Sequence, residues 1–382
     1  MSHLFNNYGR STIEFVRGED VYLFDTNGDK YLDLTSGIGV TNFGYSFQAA
    51  KDAIKSQAET LIHIPNLYQN SLQEEVAKLI GGDDYIGLFV NSGAEANEAA
   101  IKFARLKTGK SEIITFKNSF HGRTYGAMSA TGQEKIQKGF APLVPGFKYA
   151  EFNQLETVKA LVTEDTAAIM LEIIQGEGGV LPAEVLFITA LAEFASAKGI
   201  LLIIDEVQTG IARTGRRFAF EHFGIKPDVF TLAKGLANGV PVGAMFAKRE
   251  YADVLGPGTH GSTFGGNKLA MVSAKAVLEG LTAECLAHIT KMGEFATTYL
   301  RLQLTGNELV EKIQGIGLMQ GIVLTKSELV ADIIEQLQAE KILVLRAGDN
   351  VIRLLPPLII TQEQLAYGLA KIVEILNKKE NC

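Results

Sequence analysis

Between residues 48 and 281, short apolar runs alternate with amphipathic stretches of helical spacing. This alternation restricts the chain to a mostly parallel sheet with helices on both faces. The runs at 86–90, 112–116, 167–172, 200–204, 229–232 and 242–247 are short and rich in Val, Ile, Leu and Phe, as buried strands require. The spacing predicts helices over 94–106, 185–197 and 267–281. In such a fold, functional side chains gather where the carboxyl ends of strands turn into loops.

Beyond residue 281 the pattern changes to a long helical stretch reaching about 304, an apolar segment at 313–324, a helix near 329–339, short strands near 342–345 and 351–355, and a final helix. This is the pattern of a smaller α+β domain. Val21-Tyr-Leu-Phe-Asp followed by Thr26-Asn-Gly-Asp reads as a hairpin that joins it. The expected division is therefore a large domain at 48–281 and a small one built from 1–47 and 282–382. The length, 382 residues with 47% hydrophobic content, supports two such cores.

A formal net charge of -7 gives no electrostatic reason to expect a nucleic-acid or membrane partner. No uncharged run reaches a membrane span, and the first residues lack the basic and apolar regions of a secretory leader. Cys285 and Cys382 are the two cysteines, far apart and outside any CxxC spacing, so neither a disulfide framework nor a metal site is expected. A cytoplasmic location is the simplest expectation.

Two strand ends carry the chemistry. Leu201-Leu-Ile-Ile-Asp-Glu-Val-Gln ends one strand at Asp205, and Thr231-Leu-Ala-Lys-Gly ends another at Lys234. Pyridoxal phosphate (PLP) enzymes need this pair: an amine to condense with the cofactor aldehyde, and a carboxylate to keep the ring nitrogen protonated. Taken singly, an aspartate closing a strand is more often a turn former and a lone lysine is more often solvated. The cofactor phosphate needs free backbone amides, and Phe89-Val-Asn-Ser-Gly-Ala-Glu supplies a strand, a small-residue turn and a helix start at Ser92-Gly93. Thr108-Gly-Lys-Ser resembles the tail of a nucleotide-binding loop, but Ala104 stands where its first glycine belongs and the segment follows a helix.

Phe120-His-Gly-Arg-Thr offers a ring to stack on a pyridine and, in Arg123, a guanidinium for a carboxylate. Gly258-Thr-His-Gly-Ser-Thr-Phe-Gly-Gly-Asn offers hydroxyls and amides to a phosphate. Each has an ordinary reading as core phenylalanine, surface arginine or flexible turn.

With Glu172-Ile-Ile-Gln-Gly-Glu-Gly-Gly added, these segments, in this order and spacing, resemble the class III aminotransferases along nearly the whole chain. The resemblance implies an α/β fold of fold-type I, PLP as cofactor, and a homodimer with shared active sites. It implies that Lys234 holds the cofactor and that Asp205 pairs with the ring nitrogen. Ser92, Gly93 and Ala94 would bind the phosphate, Phe120 would stack on the ring, and Val207 and Gln208 would lie beside it. Ser262 and Thr263 would reach the phosphate of the other subunit's cofactor. Arg123 would bind the distal carboxylate and Arg353 the α-carboxylate of the oxo acid, with Glu177 covering Arg353 in the donor half-reaction.

Ile38, at a place where ornithine-specific members carry tyrosine, suits an acylated α-nitrogen, and Tyr68 would lie near the substrate stem. The substrates so implied are N-acetylornithine and 2-oxoglutarate, the latter leaving as glutamate. N-succinyl-diaminopimelate, ornithine or another ω-amino acid remain alternatives, as does an aminomutase or racemase on the same scaffold. A PLP-binding regulator would need a basic helix-turn-helix, and none precedes Val21. Three positions depart from the family pattern: Gly44-Tyr-Ser-Phe-Gln, Ile173 in place of proline, and Asn238 in place of glycine.

Overall fold

In the computed structural model, which describes residues 3–380, a seven-stranded sheet organises the middle of the chain. Its order is Tyr85–Val90, Gly243–Lys248, Val229–Leu232, Leu201–Asp205, Thr166–Glu172, Glu112–Phe116 and Phe147–Ala150. Gly243–Lys248 runs antiparallel to both of its neighbours, and the remaining pairings are parallel. Two antiparallel steps cancel, so Tyr85–Val90 points the same way as the parallel strands. Asn91-Ser92, Asp205 and the residues after Leu232 therefore leave the sheet at one edge.

The strands form because their apolar side chains are covered on both faces. Thr166–Glu172 and Leu201–Asp205 are buried at every position, which explains their unbroken hydrophobic runs. The helix Gly93–Thr108 packs Ala96, Ala99, Ala100 and Ala104 inward, and these small residues let it lie close to the sheet. Ser92 caps it, accepting from the Glu95 amide at 3.1 Å, and Gly109 (φ 69°) ends it in the left-handed conformation.

A second hydrophobic core joins Val21, Leu32 and Leu34 to residues of the helices Ala283–Gln303, Leu329–Ala339 and Gln362–Glu380. The antiparallel strands Phe15–Glu19, Tyr22–Asp25 and Lys30–Asp33 are extended by Ile342–Leu343, which pairs parallel to Lys30–Asp33. Four further antiparallel strands, Val310–Ile316, Met319–Leu324, Val351–Leu354 and Leu345–Ala347, form a sheet of their own. The segment expected as one strand near 342–345 is thus two short strands in different sheets, with Val344 at the crossing. The expected apolar segment at 313–324 is a hairpin turning at Gly317 (φ 58°).

The departures from the family pattern each have local partners. Asn238 takes φ 44°, a conformation asparagine tolerates, and its amide accepts from Phe43 N (2.8 Å) and donates to the Gly44 carbonyl (3.0 Å). Tyr45 donates to Asp33 Oδ2 at 2.6 Å. Ile173 is fully buried and its carbonyl accepts from Ala183 N.

No helix among the described residues is long and apolar enough to cross a membrane. Among them there is also no cluster of three or more His, Cys, Asp or Glu able to hold a metal ion.

Candidate active site

At the edge where the strand ends converge lies a cavity of about 460 Å³, lined by Ser92, Gly93, Ala94, Phe120, Arg123, Asp205, Val207, Gln208 and Lys234 among others. Lys234 is half-buried and begins a short 3₁₀ turn with φ 45°, so its side chain leaves the strand end from a strained backbone. Desolvation lowers its ammonium pKa to about 8; Glu177 opposes this shift and Arg353 adds to it.

The floor of the cavity is a buried polar network around Asp205. Oδ2 of Asp205 accepts from Asn97 Nδ2 at 2.8 Å and lies 2.7 Å from His121 Nδ1, while Oδ1 accepts from Val207 N at 3.0 Å. Thr231 Oγ donates to Asn97 Oδ1, so the asparagine is itself fixed. Burial alone would lower the His121 pKa, but the hydrogen bond and charge of Asp205 raise it above the ordinary histidine range. His121 Nε2 has no partner among the described residues. The neighbouring carboxylate faces elsewhere: Glu206 accepts from Thr209 Oγ and Phe220 N, and its burial pushes its pKa up to about 7.

The helix Gly93–Thr108 points its N-terminus into the cavity. The first of its amides to reach a helix carbonyl is that of Ala96, which donates to Ser92 O, so the amides of Gly93 and Ala94 lie in the uncompensated first turn. A Cβ on Gly93 would stand 2.7 Å from Val207 Cγ1, and one on Gly122 would stand 2.7 Å from Ala94 Cβ. Only glycine allows both approaches. Anion-seeking amides, the ring of Phe120, a buried carboxylate and an amine in one cavity fit a flat cofactor that bears a phosphate and a carbonyl.

Beyond the cavity, Arg353 is 2% exposed and its Nη1 donates to Glu177 Oε1 at 2.6 Å and to Gln208 Oε1 at 3.0 Å. Burial would raise the Glu177 pKa, yet the Arg353 charge holds it below the ordinary carboxylate range. Glu172 is buried as well, accepting from Phe120 N (3.1 Å) and Gly176 N (3.3 Å), and burial raises its pKa. It ties together the two loops that carry Phe120 and Glu177.

Six of the expected residues do not line this cavity: Glu177 and Arg353, paired beyond it, and Ile38, Tyr68, Ser262 and Thr263. Ile38 and Tyr68 are exposed, 44% and 64%, and Thr263 is exposed too. Ser262 accepts from Asn91 Nδ2 at 3.1 Å and, with Thr263, lines a separate pocket beside Glu95 and His260. The sequence reading missed Asn97 and gave His121 and Glu172 no role. The available signal was a polar Asn97 on a helix face otherwise made of alanines and the apolar Ile101 and Phe103.

The sequence matches the family described as "Aminotransferase class-III" over residues 5–376. A Streptococcus mutans protein named acetylornithine aminotransferase is 56% identical over 380 residues, covering 99% of this chain and 100% of that protein. A Lactococcus lactis protein of the same name is 52% identical, covering 98% and 100%. The crystal structure of ornithine aminotransferase from Toxoplasma gondii superimposes with a TM-score of 0.94 at 31% identity, covering 99% of this chain and 93% of that one. N-acetylornithine aminotransferase from Stenotrophomonas maltophilia gives 0.84 at 31% identity, covering 97% of both. The mostly parallel α/β architecture, the site at its strand ends and these likenesses agree: the chain belongs to the class III aminotransferase family.

Proposed function

We propose that the protein is a PLP-dependent aminotransferase that moves the terminal amino group of N-acetylornithine to 2-oxoglutarate, a step of arginine biosynthesis. The products are N-acetylglutamate semialdehyde and glutamate. The observation that carries this reading is Lys234 and Asp205 opening on one cavity beside the free amides of Gly93 and Ala94. Relatives of that name at 56% and 52% identity support the substrate.

When bound, PLP supplies an aldehyde that condenses with amines and a ring that withdraws electrons from the attached carbon. The Gly93 and Ala94 amides would hold its phosphate, at the start of a helix that Ser92 caps through the Glu95 amide. Phe120, Val207 and Gln208, which line the same cavity, would hold its ring. Asp205 keeps a proton on the ring nitrogen, and His121 and Asn97 hold that carboxylate in place.

The Lys234 amine would hold the cofactor. The same amine would move the proton at the amine-bearing carbon, and in the cofactor-free site its pKa of about 8 leaves part of the population unprotonated at neutral pH. Arg123 binds the distal carboxylate of the donor and of 2-oxoglutarate. Arg353 binds the α-carboxylate of the oxo acid, and Glu177 neutralises Arg353 when the donor brings no carboxylate there. A buried unpaired guanidinium is costly, which gives the exchange its driving force.

We further propose that residues 48–281 and 1–47 with 282–382 act as two domains, and that the enzyme works in the cytoplasm as a homodimer. In the dimer, Ser262 and Thr263 reach the phosphate of the other subunit's cofactor, which accounts for their place outside this chain's cavity. Ile38 and Tyr68, both exposed, meet the substrate at the cavity mouth.

The test is a parallel assay of the PLP-supplied protein with N-acetylornithine, ornithine, 4-aminobutyrate and N-succinyl-diaminopimelate, each with 2-oxoglutarate, following glutamate. N-acetylornithine is expected to react fastest. A faster rate with another amine overturns the substrate, and no glutamate from any of them overturns the activity.

A further inference from the structure

Arg213 is the largest side chain among those fully buried, 1% exposed, and it has no carboxylate among its hydrogen-bond partners. Its Nη1 donates to the carbonyls of Leu318 (3.1 Å) and Pro356 (2.5 Å), and its Nη2 donates to Ser36 Oγ (3.2 Å) and Asn42 Oδ1 (2.6 Å). Its Nε is left without a partner. A cation hydrogen-bonded only to neutral oxygens is expensive to keep, and burial lowers its pKa to about 9 against the opposing charge of Asp33. What the fold gains is geometry, because a planar guanidinium can span four fixed acceptors and an ammonium cannot.

Those acceptors lead to both halves of the site. Ser36 Oγ in turn donates to the Leu355 carbonyl at 2.6 Å, so Leu355 and Pro356, just after Arg353, are both held through Arg213. On the other side, Asn42 donates to the Ile211 carbonyl at 3.0 Å, and its amide fills the space where a Cβ of Gly235 would be, 2.2 Å away. Gly235 is the residue after Lys234.

The backbone around this junction is strained. Ser36 (φ 43°) and Ile38 (φ 67°) on one segment, and Ile211 (φ 53°) and Ala212 (φ 66°) on the other, all take left-handed conformations that non-glycine residues avoid. Such outliers persist where surrounding contacts over-determine the position, and they cluster at sites with a geometric task.

We propose that Arg213 is a positioning residue that fixes the separation between Lys234 and Arg353, and thereby sets how tightly the site grips a dicarboxylate. The inference rests on Arg353 being the carboxylate-binding arginine. Arg213 touches neither substrate nor cofactor; it acts through Pro356, Ser36 and Asn42.

The test uses the full chain loaded with PLP, with glutarate as an unreactive dicarboxylate probe. Arg213→Lys keeps the charge and loses the fork. It is expected to weaken glutarate binding about tenfold or more, since misplacement of a positioning group by about 1 Å costs that much or more. PLP affinity of the same variant is expected within about threefold of the wild type, because the phosphate cradle lies outside the displaced contacts.

Ser36→Ala removes a single acceptor and its relay to Leu355. It removes two hydrogen bonds, one of them from the guanidinium, and is expected to weaken glutarate by about threefold or more; it serves as the test should Arg213→Lys not fold. Unchanged glutarate affinity in the folded variant, with only a lower melting temperature, overturns the proposal. Equal weakening of PLP and glutarate overturns it too. Wild-type protein that binds PLP but no glutarate instead strikes down the reading of Arg353, and the inference falls with it.

Discussion

Lys234 combines a left-handed backbone (φ 45°), partial burial and an ammonium whose pKa burial brings down to about 8 from an ordinary 10.5. The folded value is the lower one, so between these pH values the unfolded chain binds more protons. The stability of the cofactor-free protein therefore rises as pH climbs from about 8 to about 10.5. Lys234→Met removes this dependence. At pH 7 the variant is expected to melt about 2–4 °C above the wild type in the absence of PLP, with the gap narrowing towards pH 10.5. Equal melting at pH 7 would show that the amine is not desolvated. With PLP present, the same variant is expected to lose turnover by about 10²–10⁴-fold or more while its circular dichroism is unchanged; retained transamination would sink the role given to Lys234. This residue and Asp205 were legible in the sequence because each ends an apolar run. His121 was not, because its partner Asp205 is 84 positions away and only the fold brings the two together.

The same limit shows in the elements. The central strands are readable to within about one residue because their burial on both faces leaves an unbroken apolar signature. Phe147–Ala150, at the sheet edge and only partly buried, alternates weakly and was not foreseen. Strand order and the reversed direction of Gly243–Lys248 leave no local mark at all. For the helix Gly93–Thr108, the sequence marks the cap Ser92 but not how near the helix start lies to Val207. Gly93→Ala places a Cβ 2.7 Å from Val207 Cγ1 and must push the helix start away from the cavity. Overpacking of this kind costs about 1–3 kcal/mol, so PLP affinity is expected to fall about tenfold with helix content retained. Unchanged affinity in a titration of PLP absorbance would mean that the phosphate is held elsewhere.

At the scale of the whole molecule, Leu61, Ile62, Leu67, Tyr68 and Phe264 are large and exposed on this single chain, and Ser262 and Thr263 lie outside its cavity. The proposed homodimer would cover such residues and bring the two hydroxyls to a neighbouring site. Sedimentation at micromolar concentration is expected to give twice the 41.4 kDa chain mass. A species of single-chain mass that still transaminates would refute the shared site. One further feature concerns how the molecule is made. Lys30–Asp33 is completed by Ile342–Leu343, and Ser36 Oγ by the Leu355 carbonyl 319 positions later. A ribosome adding about 5–20 residues per second needs about 15–60 s to bridge that interval. Through most of that time Lys30–Asp33 lacks its pairing strand, and Arg353, made two residues before Leu355, is missing. The nascent chain thus completes the surroundings of Arg353 only near the end of this sequence, and its first hairpin keeps an open edge until Ile342–Leu343 is made.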